Sequence, residues 1–343
     1  MKRILRYLLL GAVVSAFASC ALIDQDLSSC EEDYDLDYTL ELVTNMTTEL
    51  ETQLSMDTDV AARAALTDYL GGIFTEFAHD VDLSFYDVTG DSLRLHHEAH
   101  IMDASETSYT LYIPVRQYMH TAVANVIENE SVSLKESERC HTSALVQVLG
   151  DTIPSHKTGL FTARLPMEIR EGEDQEFDVD LYMANCASAL VLDTLDSGVK
   201  DVRVFASGFA TGFEICDSLY RFEYTPIIRT EQIPLKDSQE LCFAAAHFPS
   251  RENLLSKAGV DSDDPSLGDA TEDPLWTILV YSYLEDGSIT ECVLGVIQPL
   301  LPGKVRVIKG KLYSNGTLIP DDTTVGVSVT LDWEPGLKHD VIL

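Results

Sequence analysis

Apolar and polar residues alternate with a period of two in many short stretches of this chain. The first is Tyr34–Leu42, in which five apolar residues alternate with aspartate, threonine and glutamate. Successive side chains of a strand point to opposite faces, so this pattern predicts a half-buried strand. The same pattern predicts strands over 81–85, 109–113, 177–183 and 199–209.

Two hairpins and a final strand are predicted near the C-terminus. Residues 276–284 and 289–297 pair across a turn containing Asp286-Gly287, and 304–313 and 317–319 pair across Asn315-Gly316. Asn-Gly and Asp-Gly pairs favour the turns that match strand twist. The last strand carries alternating apolar residues, namely Val325, Val327, Val329, Leu331 and Trp333.

A single helix interrupts the strands. Leu66, Leu70, Ile73 and Phe77 fall at helical spacing within 57–78. Many short strands separated by turns otherwise indicate an all-β protein built from antiparallel β-sandwiches. A proline and an acidic run over 166–174 suggest a boundary, which gives an N-terminal domain over 34–170 and a C-terminal domain over 171–343.

The first residues read as a secretory signal that ends at a cysteine. Three basic residues precede a short apolar run over 8–17, and Phe17-Ala18-Ser19-Cys20 follows. Small residues before a cysteine match the bacterial lipobox, so 1–19 is predicted as signal peptide and Cys20 as the lipidated residue, carrying acyl chains such as palmitate. An ordinary secretory peptide is the alternative. Two or three acyl chains anchor a protein stably.

Charge narrows the range of partners. The 343 residues carry a formal net charge of −34, and the stretch 20–62 contains twelve acidic residues but no lysine or arginine. We therefore do not expect the protein to bind nucleic acid, since phosphate binding needs basic patches. Residues 20–33 are interpreted as an acidic tether.

Six cysteines remain besides Cys20, and their wide spacing contains no Cys-x-x-Cys. The spacing argues against a zinc or thioredoxin motif. Disulfides and buried free thiols both stay open as interpretations.

Candidate catalytic and metal motifs are weak. His96-His97-Glu98-Ala99-His100 is one residue short of a metalloprotease motif; on a strand, His96, Glu98 and His100 would share a face and could bind zinc weakly. The loop Asp261–Asp269 is rich in oxygen ligands but lacks the EF-hand glycine and glutamate. No Gly-x-Ser-x-Gly or phosphate-binding loop is present. The chain is therefore predicted to be a non-enzyme with no cofactor other than lipid on Cys20.

Both ends of the chain resemble a known family. Cys20–Cys30 with the strand from Tyr34, and Val325–Gly336 with its Trp-x-Pro-Gly, are similar to the ends of the FimB-like fimbrial anchor family of Bacteroides-type type V pili. Residues 81–87 and 114–125 resemble inner segments of that family.

The resemblance implies two tandem transthyretin-like β-sandwich domains and a minor pilus subunit, lipid-anchored at the outer membrane and exposed on the cell surface. Such a subunit attaches the pilus shaft and ends its growth. Its partner would be the shaft subunit, with the last strand as the candidate contact. Shaft subunits lose an N-terminal segment after cleavage at arginine or lysine, and 20–62 offers no such residue. A surface adhesin or glycan-binding lipoprotein is the alternative function.

Overall fold

The structure is a computed structural model. It describes residues 33–43, 60–75, 78–88, 92–101, 108–171, 175–194, 198–236, 238–251, 273–321 and 325–332. The predicted signal peptide, Cys20, most of the tether, the loop at 261–269 and Trp333 lie outside the described residues.

Within the described ranges short strands dominate, with one α-helix, α1 (Val60–Ile73), and one 3-10 helix (Cys140–Thr142). In chain order the strands are β1 (Asp33–Val43), β2 (Asp80–Asp87), β3 (Arg94–Ile101), β4 (Ser108–Pro114), β5 (Gln117–Ala124), β6 (Val132–Lys135), β7 (Ala144–Gln147), β8 (Ile153–Pro154), β9 (Phe161–Glu168), β10 (Glu176–Met183), β11 (Cys186–Thr194), β12 (Val199–Ser207), β13 (Gly212–Glu214), β14 (Leu219–Arg221), β15 (Ile227–Arg229), β16 (Glu231–Ile233), β17 (Glu240–His247), β18 (Trp276–Leu284), β19 (Ile289–Val296), β20 (Val305–Leu312), β21 (Leu318–Pro320) and β22 (Val325–Asp332).

These described strands form four sheets. A seven-stranded sheet has the order β3-β2-β5-β9-β10-β1-β4, and a four-stranded sheet has the order β14-β13-β7-β6. A five-stranded sheet, β16-β17-β11-β20-β21, faces a six-stranded sheet, β22-β19-β18-β12-β15-β8. Most pairings are antiparallel, but β1 with β10, β11 with β20, and β15 with β8 are parallel.

The five-stranded sheet is buried on both faces. Leu190 and Leu192 of β11 pack in a core with Trp276 and Ile278 of the six-stranded sheet. The opposite face of β11 packs in a second core with α1 and the inner face of the seven-stranded sheet, through Ala187, Ala189 and Val191. Because successive side chains of a strand point to opposite faces, this one sheet packs against a different layer on each face.

A smaller core joins the four-stranded sheet to the outer face of the seven-stranded sheet. Val123 packs there with Leu145 and Phe213. The disulfide Cys140–Cys216 lies beside Tyr86 at the same junction. Cys186, Cys242 and Cys292 are free and buried, so disulfide and buried thiols coexist in this chain.

The all-β sandwich architecture with one short helix near the N-terminus is confirmed. β1, α1, the two C-terminal hairpins and β22 lie where the pattern predicts them, although the helix ends at Ile73 instead of at residue 78. The boundary between 170 and 171 stays a prediction. Strand β10, which follows that point in the chain, completes the seven-stranded sheet. No helix among the described residues is long and apolar enough to span a membrane.

Three histidines, His120, His156 and His247, are fully buried, and burial keeps them neutral. His120 Nδ1 lies 3.1 Å from the Ser84 carbonyl, to which it donates, so His120 Nε2 accepts from the Tyr38 hydroxyl at 2.5 Å. Desolvation lowers the pKa of His120 to about 3, and the donation to the Ser84 carbonyl opposes that shift only in part. The bond between Tyr38 and His120 ties β1 to β5 through the core.

The other two lie where the sheets meet. His156 Nε2 donates to Gln147 Oε1 at 2.9 Å, and the side-chain amide of Gln147 donates through Nε2 to the Ser131 carbonyl at 2.9 Å. His247 Nε2 lies 2.8 Å from Ser188 Oγ, and its Nδ1 lies 2.8 Å from the Phe248 carbonyl. Burial lowers the pKa of His156 to about 3 and that of His247 to about 4.

Replacing Tyr38 by phenylalanine is expected to destabilise the fold by about 1–3 kcal/mol, because buried His120 Nε2 loses its donor. Urea unfolding measures this change. The control is Tyr112→Phe on β4, where the side chain is 59% exposed and the change should be near zero. Equal effects of the two variants would contradict the proposed importance of the Tyr38 hydroxyl.

Acid should destabilise the protein already at pH values well above the folded-state pKa values of the three histidines. They take up protons in the unfolded chain near pH 6.5 but not in the folded chain, so stability falls as pH drops below 6.5. At pH 5 the loss is about 2 kcal/mol for each histidine. Urea unfolding between pH 7 and pH 5 measures it.

A matched pair of variants isolates one histidine. His120→Gln should make the slope between pH 6 and pH 5 shallower by about 1 kcal/mol per pH unit, while His141→Gln, at an exposed position, should not. A stability that stays flat from pH 7 to pH 5 would rule out this account.

Candidate functional site

Strand β1 is held on both of its edges. It pairs in parallel with β10 over Asp37–Val43 and antiparallel with β4 over Asp33–Thr39. The Tyr38 and Leu40 side chains lie buried in the core. Removing this strand would expose core side chains and break two ladders at once, so β1 is an integral part of the seven-stranded sheet.

The first basic residue after the predicted signal is Arg63, and it lies in the first turn of α1. Its carbonyl accepts a hydrogen bond from Thr67 Oγ1 at 2.9 Å. The buried side chains of Ala62, Leu66 and Leu70 hold this helix against the core. A protease that needs an extended peptide would therefore have to unwind α1 to cleave at Arg63.

Strand β22, the predicted contact strand, forms one edge of the six-stranded sheet. It pairs with β19 from Val325 opposite Val296 to Asp332 opposite Ile289. Among the strands that the structure describes, its second edge has no partner.

The hydrogen-bonding direction within β22 follows from the neighbouring hairpin. The Leu284 amide donates to the Ser288 carbonyl at 2.9 Å, which makes the even-numbered residues of β19 bond to β18. Odd-numbered residues of β19 therefore bond to even-numbered residues of β22. The amides and carbonyls of Val325, Val327, Val329 and Leu331 point to the open edge.

Val325, Val327, Val329 and Leu331 thus offer main-chain groups at this edge. The Val325 side chain is buried in the sandwich core. The side chains of Val327, Val329 and Leu331, and all of Trp333, lie outside what the structure describes. Their assignment as partner contacts stays a prediction.

Edge strands differ in how well they resist pairing with another chain. β8, β14, β16 and β21 have two or three residues each, and β3 carries charged and histidine side chains. Short or charged edges resist addition of a further strand. β4 and β22 are the two long edge strands with little charge. Asp332, at the end of β22, is the only acidic residue of these two strands, and neither strand contains a basic residue.

A groove of about 700 Å³ opens between the seven-stranded and four-stranded sheets. Strands β9 and β10 pair only at Thr162 with Tyr182 and at Phe161 with Met183, and they diverge beyond those pairs. The groove lies over this divergence, with Asp178, Asp180 and the 58%-exposed Tyr182 on one side and Phe213 on the other. No motif in the sequence pointed to it, because it arises from a gap between paired strands.

The weak zinc candidates lie together on one strand face, as predicted. Glu98 contacts both neighbours on β3, with one oxygen 2.6 Å from His96 Nε2 and the other 2.9 Å from His100 Nε2. The register places them opposite Phe85, Leu83 and Val81, on the inner-face side of the sheet. His97 points to the other face and contacts Asp82.

One cysteine and one histidine lie close enough to suggest nucleophilic catalysis. Cys186 Sγ is 3.5 Å from His247 Nδ1, but both residues are fully buried. Burial raises the pKa of the Cys186 thiol well above its usual range and lowers that of His247 to about 4. The thiol therefore stays protonated and out of reach of substrate, unlike a catalytic thiolate.

No protein-family model matches the chain, and no curated protein matches it significantly. Several solved structures do. A candidate polysaccharide-binding protein (DUF1812) from Bacteroides thetaiotaomicron aligns with a TM-score of 0.51 at 9% identity, over 85% of this chain and 97% of that one.

Two further structures show similar coverage. A candidate adhesin from Bacteroides ovatus aligns with a TM-score of 0.51 at 9% identity, over 92% of this chain and 98% of that one. The fimbrial anchor protein Mfa2 from Porphyromonas gingivalis aligns with a TM-score of 0.46 at 9% identity, over 87% and 98% of the two chains. The chain shares the fold of the two Bacteroides proteins, and Mfa2 is among its structural neighbours.

Proposed function

We propose that this protein is a non-enzymatic, lipid-anchored minor pilus subunit, which attaches the fimbrial shaft to the outer membrane and ends its growth. The structural neighbours support a fimbrial or adhesin role at the cell surface. The observation that carries the anchor function is the pairing of β1 on both edges.

An anchor must pass the pull of a fibre from its folded part to its lipid. Asp33, the first residue of β1, comes thirteen positions after Cys20, with twelve residues between them. Such a segment spans at most about 45 Å when fully extended. Pull along this segment would load the ladders with β4 and β10 together, as well as the buried side chains of Tyr38 and Leu40.

The same strand must not be removed by processing. No arginine or lysine occurs between Cys20 and Arg63, and Arg63 is part of α1. A protease that cuts after basic residues therefore meets its first site within a packed helix. The lipid and β1 would stay joined, and a subunit that keeps its own strand has no vacated position for a donor strand.

The shaft would attach at an open sheet edge. Addition of a partner strand to an edge gives affinity through main-chain hydrogen bonds. The open edge of β22 offers the amides and carbonyls of alternate residues from Val325 to Leu331 for this purpose. β22 is also one of the two long edges with little charge.

A glycan-binding adhesin is the second candidate. Carboxylates of Asp178 and Asp180 lie near the aromatic rings of Tyr182 and Tyr220 in the groove between β9 and β10. Aromatic faces beside polar groups can hold a small polar ligand with an apolar side. Glycan-array binding that is lost in Tyr182→Ala, with normal pilus attachment, would favour this function over the anchor.

Replacing Cys20 by alanine should move the protein from the membrane fraction to the soluble fraction, because the lipid carries the attachment. Cell fractionation and fibre counts on washed cells measure the change, and fibres should appear in the medium. Cys30→Ala is the matched control and should remain in the membrane fraction. Unchanged partitioning of Cys20→Ala would contradict lipidation.

Replacing Val327 by proline should weaken capture of the purified shaft subunit by tenfold or more, since proline removes an edge amide and its ring obstructs strand addition. Pairing with β19 should survive, because the Val327 amide points away from β19. Circular dichroism and thermal unfolding check the fold, and pull-down with titration measures capture.

Two controls sharpen this test. Val327→Ala keeps the amide and should bind like the wild type. Tyr112→Lys places a charge on β4, the other long edge. If capture is lost only in Tyr112→Lys, the contact lies on β4 and the assignment to β22 is wrong.

A further inference from the structure

Three potential metal ligands converge from separate segments on the outer face of the seven-stranded sheet. Asp82 lies on β2, His97 lies on β3, and Glu136 follows β6 of the four-stranded sheet. One donor atom from each lies within 4.8 Å of the other two. We propose that Asp82, His97 and Glu136 bind a divalent transition-metal ion of the Zn²⁺ type, which links the edge strand β3 to the segment that follows β6.

The donor set fits such an ion. It offers one imidazole nitrogen and two carboxylates, whereas calcium and magnesium prefer oxygen ligands alone. Three protein ligands leave a fourth position of a tetrahedral zinc site for water. The two carboxylates balance the double positive charge of the ion.

The required movements are small. His97 Nε2 lies 2.6 Å from Asp82 Oδ2. Ligand atoms about 2.1 Å from a tetrahedral zinc ion lie about 3.4 Å from one another, so this pair opens by less than about 1 Å. All distances within the set are at most 4.8 Å, so a shift of about 1.4 Å at most brings the third ligand in.

The backbone that carries these ligands is already fixed. Ser84 pairs with His97 across β2 and β3, which places Asp82 two residues away on the same face. The Arg94 amide donates to the Glu138 carbonyl at 2.7 Å, and the Cys140 amide donates to the Ser92 carbonyl at 3.3 Å. The disulfide between Cys140 and Cys216 links this segment covalently to the residues that follow β13. A site held in this way loses little conformational entropy on binding.

The Arg94 guanidinium lies against one of the three proposed ligands. Arg94 Nη1 lies 3.0 Å from Glu136 Oε2, in an ion pair that a metal ion must displace. Arg94 is therefore a competitor for Glu136, and its removal should strengthen metal binding.

The histidines on the opposite face of β3 provide a built-in comparison. His96 and His100 are both hydrogen-bonded to Glu98, and all three residues belong to one strand. Asp82, His97 and Glu136 instead come from three segments, namely two strands of one sheet and the residues that follow β6. Metal binding at the two faces can therefore be separated by single substitutions on the same strand.

The test is calorimetric titration of the EDTA-treated full chain with ZnCl₂. About one equivalent should bind to the wild type. His97→Ala and Glu136→Gln should each weaken the affinity by tenfold or more, while Arg94→Gln should strengthen it. Glu136 is exposed, so Glu136→Gln keeps the test valid if His97→Ala fails to fold.

His100→Ala is the matched control and should bind Zn²⁺ like the wild type. Absence of binding to the wild type would overturn the proposal. Loss in His100→Ala with retention in His97→Ala would place the ion on the other face, against the proposal. Equal affinity in all variants would show adventitious binding to an acidic surface and would also overturn it.

Discussion

The placement of β1 inside the seven-stranded sheet is the constraint on which the rest of the structure depends. Its parallel ladder with β10 and antiparallel ladder with β4 join the start of the folded chain to a strand from the middle. The buried hydrogen bond from Tyr38 to His120 extends that connection to β5. Without β1, β4 would lose its only neighbour among the described strands, and the core over α1 would open to water.

The same core depends on small residues in the five-stranded sheet. Alanines at 187 and 189 on β11, and at 244 and 246 on β17, face α1 and the seven-stranded sheet. Their small side chains let the helix approach the sheet closely. On the other face, larger residues such as Leu190, Leu192 and Phe243 fill the sandwich. One strand sequence therefore specifies two layers of different thickness through its alternation.

Sequence patterns predicted the strands with one polar face and a clear turn, such as β1, β18, β19 and β22. They did not predict β6, β7 or β8, because strands of two to four residues are too short to show a period. β17 was also missed, since a strand buried on both faces shows no polar alternation. The shared face of His96, Glu98 and His100 followed from period two alone. The cluster of Asp82, His97 and Glu136 could not be predicted, because only sheet topology brings those residues together.

Open sheet edges normally carry a risk of self-association, and charge bears on that risk here. A formal net charge of −34 makes two copies of this chain repel each other. At the same time, β22 presents a long edge with little charge of its own. Repulsion between copies therefore disfavours pairing of β22 with β22, while a less acidic partner meets no such barrier. The anchor function that we propose requires this preference, because self-pairing at the base of a fibre would compete with attachment of the shaft.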